Sequence, residues 1–522
     1  MAMIDFFDRG WRINPQGAAF IQDDRHYSFD EVGDLSCRIA NGLLAAGFPK
    51  ETKGAIWALN DVTAWTCTLG LWRANMCWIP VGAHNSAEEN NHLLDSFDCE
   101  ILFFQKAFAP IIAELKPRLP KIRLWICIDG DLPDHADTQS LDQWVGNQSA
   151  EKPEVDFDAD DVVMVSATGG TTGLPKGVMN THRSIQTFCA HYMMGCVYDG
   201  NERPVNLAAA PMTHTAGVLS IPCTARGGTV VVVTKPDPAL MLGAIPKYGV
   251  TEFFLPPTVI YRLLDIPELG SKVDFSSLKY LMYGAAPMSV DKLKQAIEVI
   301  GPVMMGGYGQ TEAPAAISYM RPDEHFADGK VASDSRLSSV GRPNPLVRVE
   351  IMNENNEIVG QGETGEICVR GDLLMKGYYK APDKTVETIV DGWLHTGDIG
   401  CLDAEGYLHI TDRKKDMIIT GGFNVYPSEV EQVIWGHPAV QDCAVIGVPD
   451  EKWGEAVKAV VELNQGQSVT ADELIALCKD KLGSVKAPKS IDFIETLPRS
   501  PVGKVLKKDL RAGYWQEAER KI

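Results

Sequence analysis

Residues 162–177 read Val-Val-Met-Val-Ser-Ala-Thr-Gly-Gly-Thr-Thr-Gly-Leu-Pro-Lys-Gly, and the reading of the whole chain starts there. The apolar run Val162–Val165 has the length and β-branched content of a buried strand. After it, Gly169, Gly170 and Gly173 let the backbone turn its N–H groups toward one centre. Thr168 opens the segment, Thr171 and Thr172 add hydroxyl donors, and Lys176 adds a positive charge. Such a segment is suited to cradling a phosphate. It is not a Walker loop, because Lys176 is followed by Gly177 and the G-x-x-x-x-G-K-[ST] spacing is missing.

Outward from this loop the chain alternates. Short apolar runs such as Thr229–Val233 and Phe253–Leu255 read as buried strands, and Val290–Ile300 has helical periodicity. Alternation of this kind predicts an α/β body of mostly parallel sheets covered by helices. From about Gly341 the texture changes: Val347–Met352, Glu366–Arg370 and Tyr407–Ile410 are short strands between Gly, Asn and Asp turns, predicting a barrel-like subdomain over about 341–412. Beyond it, Pro427–Trp435 and Ala471–Leu482 read as helices, and Cys443–Val448 and Ala456–Leu463 as strands, an α+β unit. The expected division is a body of residues 1–412 and a mobile C-terminal domain of residues 413–522. The charged run Asp412-Arg413-Lys414-Lys415-Asp416 suits a solvated connector able to act as a hinge.

Composition narrows the function classes. In 522 residues, 69 acidic side chains against 49 basic ones leave a net charge of −20, which argues against a broad nucleic-acid or anionic-lipid footprint. A 45% hydrophobic and 23% charged chain is an ordinary soluble globular composition. The 12 cysteines form no C-x-x-C pair and read as reduced, mostly buried thiols. No signal-peptide core is present at the N-terminus. The uncharged stretch Val205–Ala225 contains Pro211, Thr213, His214 and Pro222 and reads as strand, loop and helix rather than an integral membrane segment. Cytoplasm is the default location. No internal repeat points to a solenoid.

The glycine-rich loop resembles the signature of the adenylate-forming superfamily, which includes acyl-CoA synthetases, amino-acid adenylation domains and firefly-type luciferases. Further segments match in the family's order: Gly284-Ala285-Ala286-Pro287, Tyr308-Gly309-Gln310-Thr311-Glu312, Gly392-Trp393-Leu394-His395-Thr396-Gly397-Asp398, Asp412–Asp416, Gly421-Gly422-Phe423-Asn424-Val425-Tyr426-Pro427 and Pro501-Val502-Gly503-Lys504. The motifs most resemble those of fatty-acyl or aryl-acyl CoA ligases.

The resemblance implies a two-step reaction in which a carboxylic acid is activated by ATP to an acyl-adenylate and then passed to the CoA thiol. Lys504 would contact the α-phosphate and the acyl carboxylate, needing cationic reach against two anions. Thr311 would donate to the α-phosphate. Glu312 would hold Mg²⁺, which keeps much of its shell as water and phosphate oxygen and so needs few protein carboxylates. Tyr308 with Gly284, Ala285, Ala286 and Pro287 would frame the adenine. Asp398 would accept from both ribose hydroxyls, a role for an acceptor-only carboxylate, with Arg413 as a second contact. Lys415 sits at the hinge position, and Gly421, Gly422 and Phe423 would line the pantetheine tunnel after domain rotation.

Two departures stand out. The loop's second position, usually serine, is Gly169. The segment Pro211–Gly217 carries Thr213 before His214 where an aromatic is frequent, and His214 would lie beside the acyl carboxylate. That segment has no aspartate to bind an α-amine, which favours a neutral or apolar acid, with fatty, aryl, aryl-alkyl and alicyclic acids all open. Partners are therefore ATP, a carboxylic acid and CoA, and any oligomer is expected to be a homodimer. A stand-alone adenylating enzyme with another acceptor, a luciferase-type oxygenase and an inactive adenylate-binding regulator share the motifs and stay as alternatives.

Overall fold

The computed structural model describes residues 1–132, 137–168, 175–213, 215–235, 237–450, 452–499 and 505–515. Among them, two large sheets make the N-terminal body. The first is ordered Arg342–Pro343, Ser318–Met320, Met304–Tyr308, Tyr280–Gly284, Glu252–Leu255, Val205–Ala208, Thr229–Val232, Ala18–Gln22 and Arg25–Ser28. Its central strands, from Met304–Tyr308 to Ala18–Gln22, run parallel. In the second sheet, strands Val162–Thr168, Cys77–Pro80, Lys53–Trp57, Cys99–Phe104, Leu124–Cys127 and Gln139–Ser140 are parallel neighbours. Strands Lys176–Thr181 and Gly377–Tyr378 extend that sheet antiparallel.

The helix Val62–Arg73 is apolar almost all round and is buried along nearly its whole length, as expected of a helix enclosed on every side. Its Trp65 and Trp72 meet Trp78 edge-on, with ring centroids 5.5, 5.7 and 5.9 Å apart. Each ring removes on the order of 200 Å² from water, worth roughly 5 kcal/mol. Buried Arg73 closes the helix on Asp8 at 2.7 Å and Ser36 Oγ at 3.0 Å, the pairing a buried guanidinium requires. The 12 cysteines are free, and 11 of them are buried. Among the described residues, no helix is long and apolar enough to cross a membrane; Val205–Ala225 folds as strand Val205–Ala208 and helix Thr215–Ala225.

An antiparallel sheet follows, built from Val347–Met352, Gly365–Gly371, Ile389–Val390, Trp393–Leu402 and Leu408–Arg413. A new sheet begins at Ile418: strands Ile418–Thr420, Phe423–Val425, Val440–Asp450, Gly454–Leu463 and Ser490–Ile494, with helices Pro427–Trp435, Ala471–Lys486 and Lys507–Trp515. Pro427–Trp435 has no side-chain cap from Tyr426. Asp412, on the preceding antiparallel sheet, supplies one, accepting from the Ser428 N–H at 2.9 Å. Ser428 Oγ also donates to the Thr411 carbonyl. The start of the helix Pro427–Trp435 is thus tied across the connector.

Candidate active site

Two parallel strands of the first sheet end together. Gly284 pairs with Gly307, and a Cβ on Gly284 would lie 2.6 Å from the Gly307 carbonyl oxygen, so the approach admits only glycine. Beyond it Ala285 has a left-handed φ of 65°, and Ala285 to Pro287 come to the surface. The carboxyl ends of parallel strands are where open α/β sheets bind ligands.

Tyr308 ends the neighbouring strand, 7% exposed. Its hydroxyl donates to Asp398 Oδ2 at 2.7 Å. Burial, and after it the Asp398 charge, push the phenol well above its ordinary value, so it stays a donor. Asp398, 4% exposed, also accepts from Gln310 Nε2 at 2.7 Å and pairs through Oδ1 with Arg413 Nε at 3.1 Å. Gln310 holds the Thr396 carbonyl as well, at 2.8 Å, and the Asp398 N–H donates to Thr396 Oγ1 at 3.1 Å. The Gly397 N–H, on the same turn, donates to Glu366 at 2.9 Å, and Glu366 also meets His395 and Lys414. Asp398 is therefore an oriented carboxylate. Two donors already occupy Oδ2 and Arg413 alone meets Oδ1, so Oδ1 keeps the greater remaining capacity to accept from a vicinal diol.

A second constellation lies at the hairpin of the second sheet. Thr168 pairs with Lys176, so the glycine-rich loop joins two antiparallel strands instead of opening a helix. Lys176 Nζ sits 4.7 Å from the centroid of the Tyr378 ring. The Tyr378 hydroxyl donates to Glu312 Oε1 at 2.8 Å. Asn180 Nδ2 reaches the Thr311 carbonyl at 3.3 Å, drawing the Tyr308–Glu312 segment to the same hairpin. Among the described residues no group of three or more His, Cys, Asp or Glu side chains could by itself hold a metal ion. A half-buried carboxylate held by one hydroxyl suits a cation that keeps phosphate and water ligands, so Glu312 fits Mg²⁺ in that mode.

The other expected residues fall in three groups. Gly169, Gly170, Thr171, Thr172, Gly173, His214 and Lys504 lie outside the described residues. Lys415 is exposed on the connector. Gly421, Gly422 and Phe423 form the exposed turn between strands Ile418–Thr420 and Phe423–Val425, with left-handed φ at both glycines and the Gly421 N–H donating to the Trp453 carbonyl at 2.9 Å. That turn belongs to the C-terminal sheet and takes no part in the Asp398 node.

Gln310 and Thr396 stand inside recognised motifs, yet their grip on Asp398 has no signature of its own. Glu366 and Tyr378 had no sequence signal as site residues: a lone tyrosine 66 residues after Glu312 is brought to it by pairing of Gly377–Tyr378 with Val178 and Met179 and by the backbone bond from Met375 to Glu312. A cavity of about 430 Å³ joins the constellations, lined among others by Gln310, Glu312, Glu366, Tyr378, Thr396 and Lys414.

Comparison with known proteins identifies the family. A family model described as AMP-binding enzyme matches residues 7–379, and one described as AMP-binding enzyme C-terminal domain matches residues 429–504. The chain is 42% identical over 375 residues to the medium/long-chain-fatty-acid–CoA ligase FadD8 of Mycobacterium tuberculosis, a match covering 70% of this chain and 64% of that relative, so somewhat under two thirds of its length. It is 34% identical over 505 residues to feruloyl-CoA synthase of an Amycolatopsis species, covering 96% and 97% of the two chains. The solved amide bond synthetase McbA of Marinactinospora thermotolerans superposes with a TM-score of 0.88 at 28% identity, covering 98% and 99%. With a family model over most of its length and a relative aligned nearly end to end, the chain belongs to the AMP-binding enzymes of the adenylate-forming superfamily.

Proposed function

We propose that this enzyme is an acyl-CoA synthetase that activates a neutral, largely apolar carboxylic acid. The observation that carries the reading is the Asp398 node, a buried carboxylate oriented by Tyr308, Gln310 and Arg413, whose Gln310 and Thr396 line one cavity with Glu312 and Tyr378. The node suits the ribose of ATP, and the close-packed Gly284–Gly307 edge suits a planar base. The Lys176 and Glu312 corner would receive the triphosphate. Mg²⁺ held by Glu312 would supply charge neutralisation on the phosphate oxygens.

In the first step an oxygen of the acid's carboxylate attacks the α-phosphorus, and pyrophosphate departs with the electrons of the broken P–O bond. Thr311 and Lys504 would oppose the charge that gathers on the α-phosphoryl oxygens, and His214 would orient the acid. In the second step the CoA sulfur attacks the acyl carbon and AMP leaves. Gly421, Gly422 and Phe423 would border the thiol's path once the C-terminal sheet turns about Lys415. Strand alternation supports an apolar acyl site: Met282 and Phe254 face the layer that holds Tyr308 and Trp65, away from Phe253, Leu255 and Leu281.

The named CoA ligases among the relatives support CoA as acceptor. The amide bond synthetase relative supports a second reading, an amine acceptor. Pyrophosphate release is to be measured over fatty, aryl, aryl-alkyl and alicyclic acids, with CoA or an amine as acceptor. Acid-dependent release with CoA-dependent thioester is expected. ATP binding without release for any acid would overturn the proposal in favour of a regulator, and amide in place of thioester would overturn the acceptor.

A further inference from the structure

Glu312 and Lys176 come from segments more than a hundred residues apart in the chain, and a third segment, residues 375–379, holds them together. The Met375 N–H donates to the Glu312 carbonyl at 2.8 Å, the Lys376 N–H to the Met179 carbonyl at 2.8 Å, and the Tyr379 N–H to the Gly177 carbonyl at 2.7 Å. Tyr378 itself pairs with Val178. Its own N–H is held by Thr385 Oγ1 at 2.9 Å. Gly377 has a φ of 147°, and a Cβ there would lie 2.8 Å from Thr385, so the clip has little freedom. The Tyr378 side chain, 6% exposed, then acts in two directions, its hydroxyl at 2.8 Å from Glu312 Oε1 and its ring face toward the Lys176 ammonium at 4.7 Å.

We propose that Tyr378 is a positioning residue for cation-dependent ATP binding: its hydroxyl orients the Glu312 carboxylate toward a divalent cation, and its ring face holds Lys176 over the same corner. The inference rests on the reading of Glu312 as the cation's ligand in the proposed function. A carboxylate takes a cation best when its rotation is already restricted, and hydrogen-bond partners of metal ligands typically contribute 10–100-fold in metal affinity. One oxygen of Glu312 is held by the phenol, and Glu312 lines the same cavity as Gln310 and Thr396. Lys176 over the ring is a cation–π contact that places a positive charge without consuming an acceptor.

The test is calorimetric titration of the full chain with ATP, in excess Mg²⁺ and in EDTA. Wild type should bind more tightly with Mg²⁺. Tyr378→Phe, with thermal unfolding as the folding control, should keep its affinity in EDTA within about twofold and lose about tenfold of the Mg²⁺ increment. In a Glu312→Gln background the same substitution should cost nothing further, since the two act as one unit. Glu312→Asp, which keeps the charge but draws it away from the phenol, is the second route should Tyr378→Phe fail to fold, and it should lose the increment similarly. An unchanged increment in Tyr378→Phe, an equal loss in EDTA, or a wild type without any increment would overturn the inference. Pyrophosphate release by wild type reports separately on the proposed function, so the two can fail independently.

Discussion

Replacing Asp412 by alanine should loosen the C-terminal domain. Asp412 is 7% exposed on the last strand of the antiparallel sheet, and it caps the helix Pro427–Trp435, which has no cap of its own. An N-cap is worth about 0.5–2 kcal/mol, and a carboxylate near a helix N-terminus adds about 0.3–1 kcal/mol through the helix dipole. Against this stands the cost of burying the charge, which raises the Asp412 pKa despite the nearby Lys507 ammonium. A net loss of about 1–2 kcal/mol follows, or roughly 5–30-fold in the equilibrium between docked and undocked arrangements. Asp412→Asn retains an acceptor oxygen for Ser428 and should lose less than half of that. Dye pairs on the body and the C-terminal sheet, read by single-molecule energy transfer, give the docked fraction, and proteolysis within 413–417 should quicken in proportion. A docked fraction in Asp412→Ala within twofold of wild type would show that this cap does not hold the domain. So would equal effects of Ala and Asn, because the loss is assigned to the hydrogen bond that Asp412 accepts from Ser428.

Two buried histidines make the body acid-sensitive. His182 accepts from the Met3 N–H at 2.9 Å and has Asn75 Oδ1 at 3.1 Å on its other nitrogen, while His325 lies between the Tyr283 hydroxyl at 3.0 Å and the Arg321 carbonyl at 2.9 Å. Burial pulls both down to about 4. The unfolded chain takes up these protons near pH 6.5, so the stability they protect is complete above that pH and is lost as pH falls from about 6.5 to 4, on the order of 3 kcal/mol for each. Denaturant unfolding that stays flat across this window would count against neutral burial. Gly217→Ala should cost about 1–3 kcal/mol through overpacking, because its Cβ would overlap the Met212 carbonyl and the Trp65 ring. Its thermal midpoint, and its apparent affinity for the acid, should both fall; an unchanged midpoint would mean that the helix Thr215–Ala225 shifts freely.

Periodicity and local chemistry are written in the chain itself. The helix Val290–Ile300, the strand Val347–Met352 and the helix Pro427–Trp435 appear at the expected residues, since each is decided by apolar spacing and flanking turn residues. The contiguous motifs, from Tyr308–Glu312 to the Asp412–Asp416 run, name an adenylate-forming enzyme because phosphate and nucleotide chemistry needs those residue types close together in sequence. What the sequence could not supply is the second set of contacts around them. That Tyr308 and Gln310 hold Asp398, that Tyr378 holds Glu312, and that Asp412 caps a helix of the next domain all depend on register across sheets. Hydrogen bonds between residues 16 to 90 positions apart have no period and no spacing to read; they exist only once the strands pair and the buried groups must find partners.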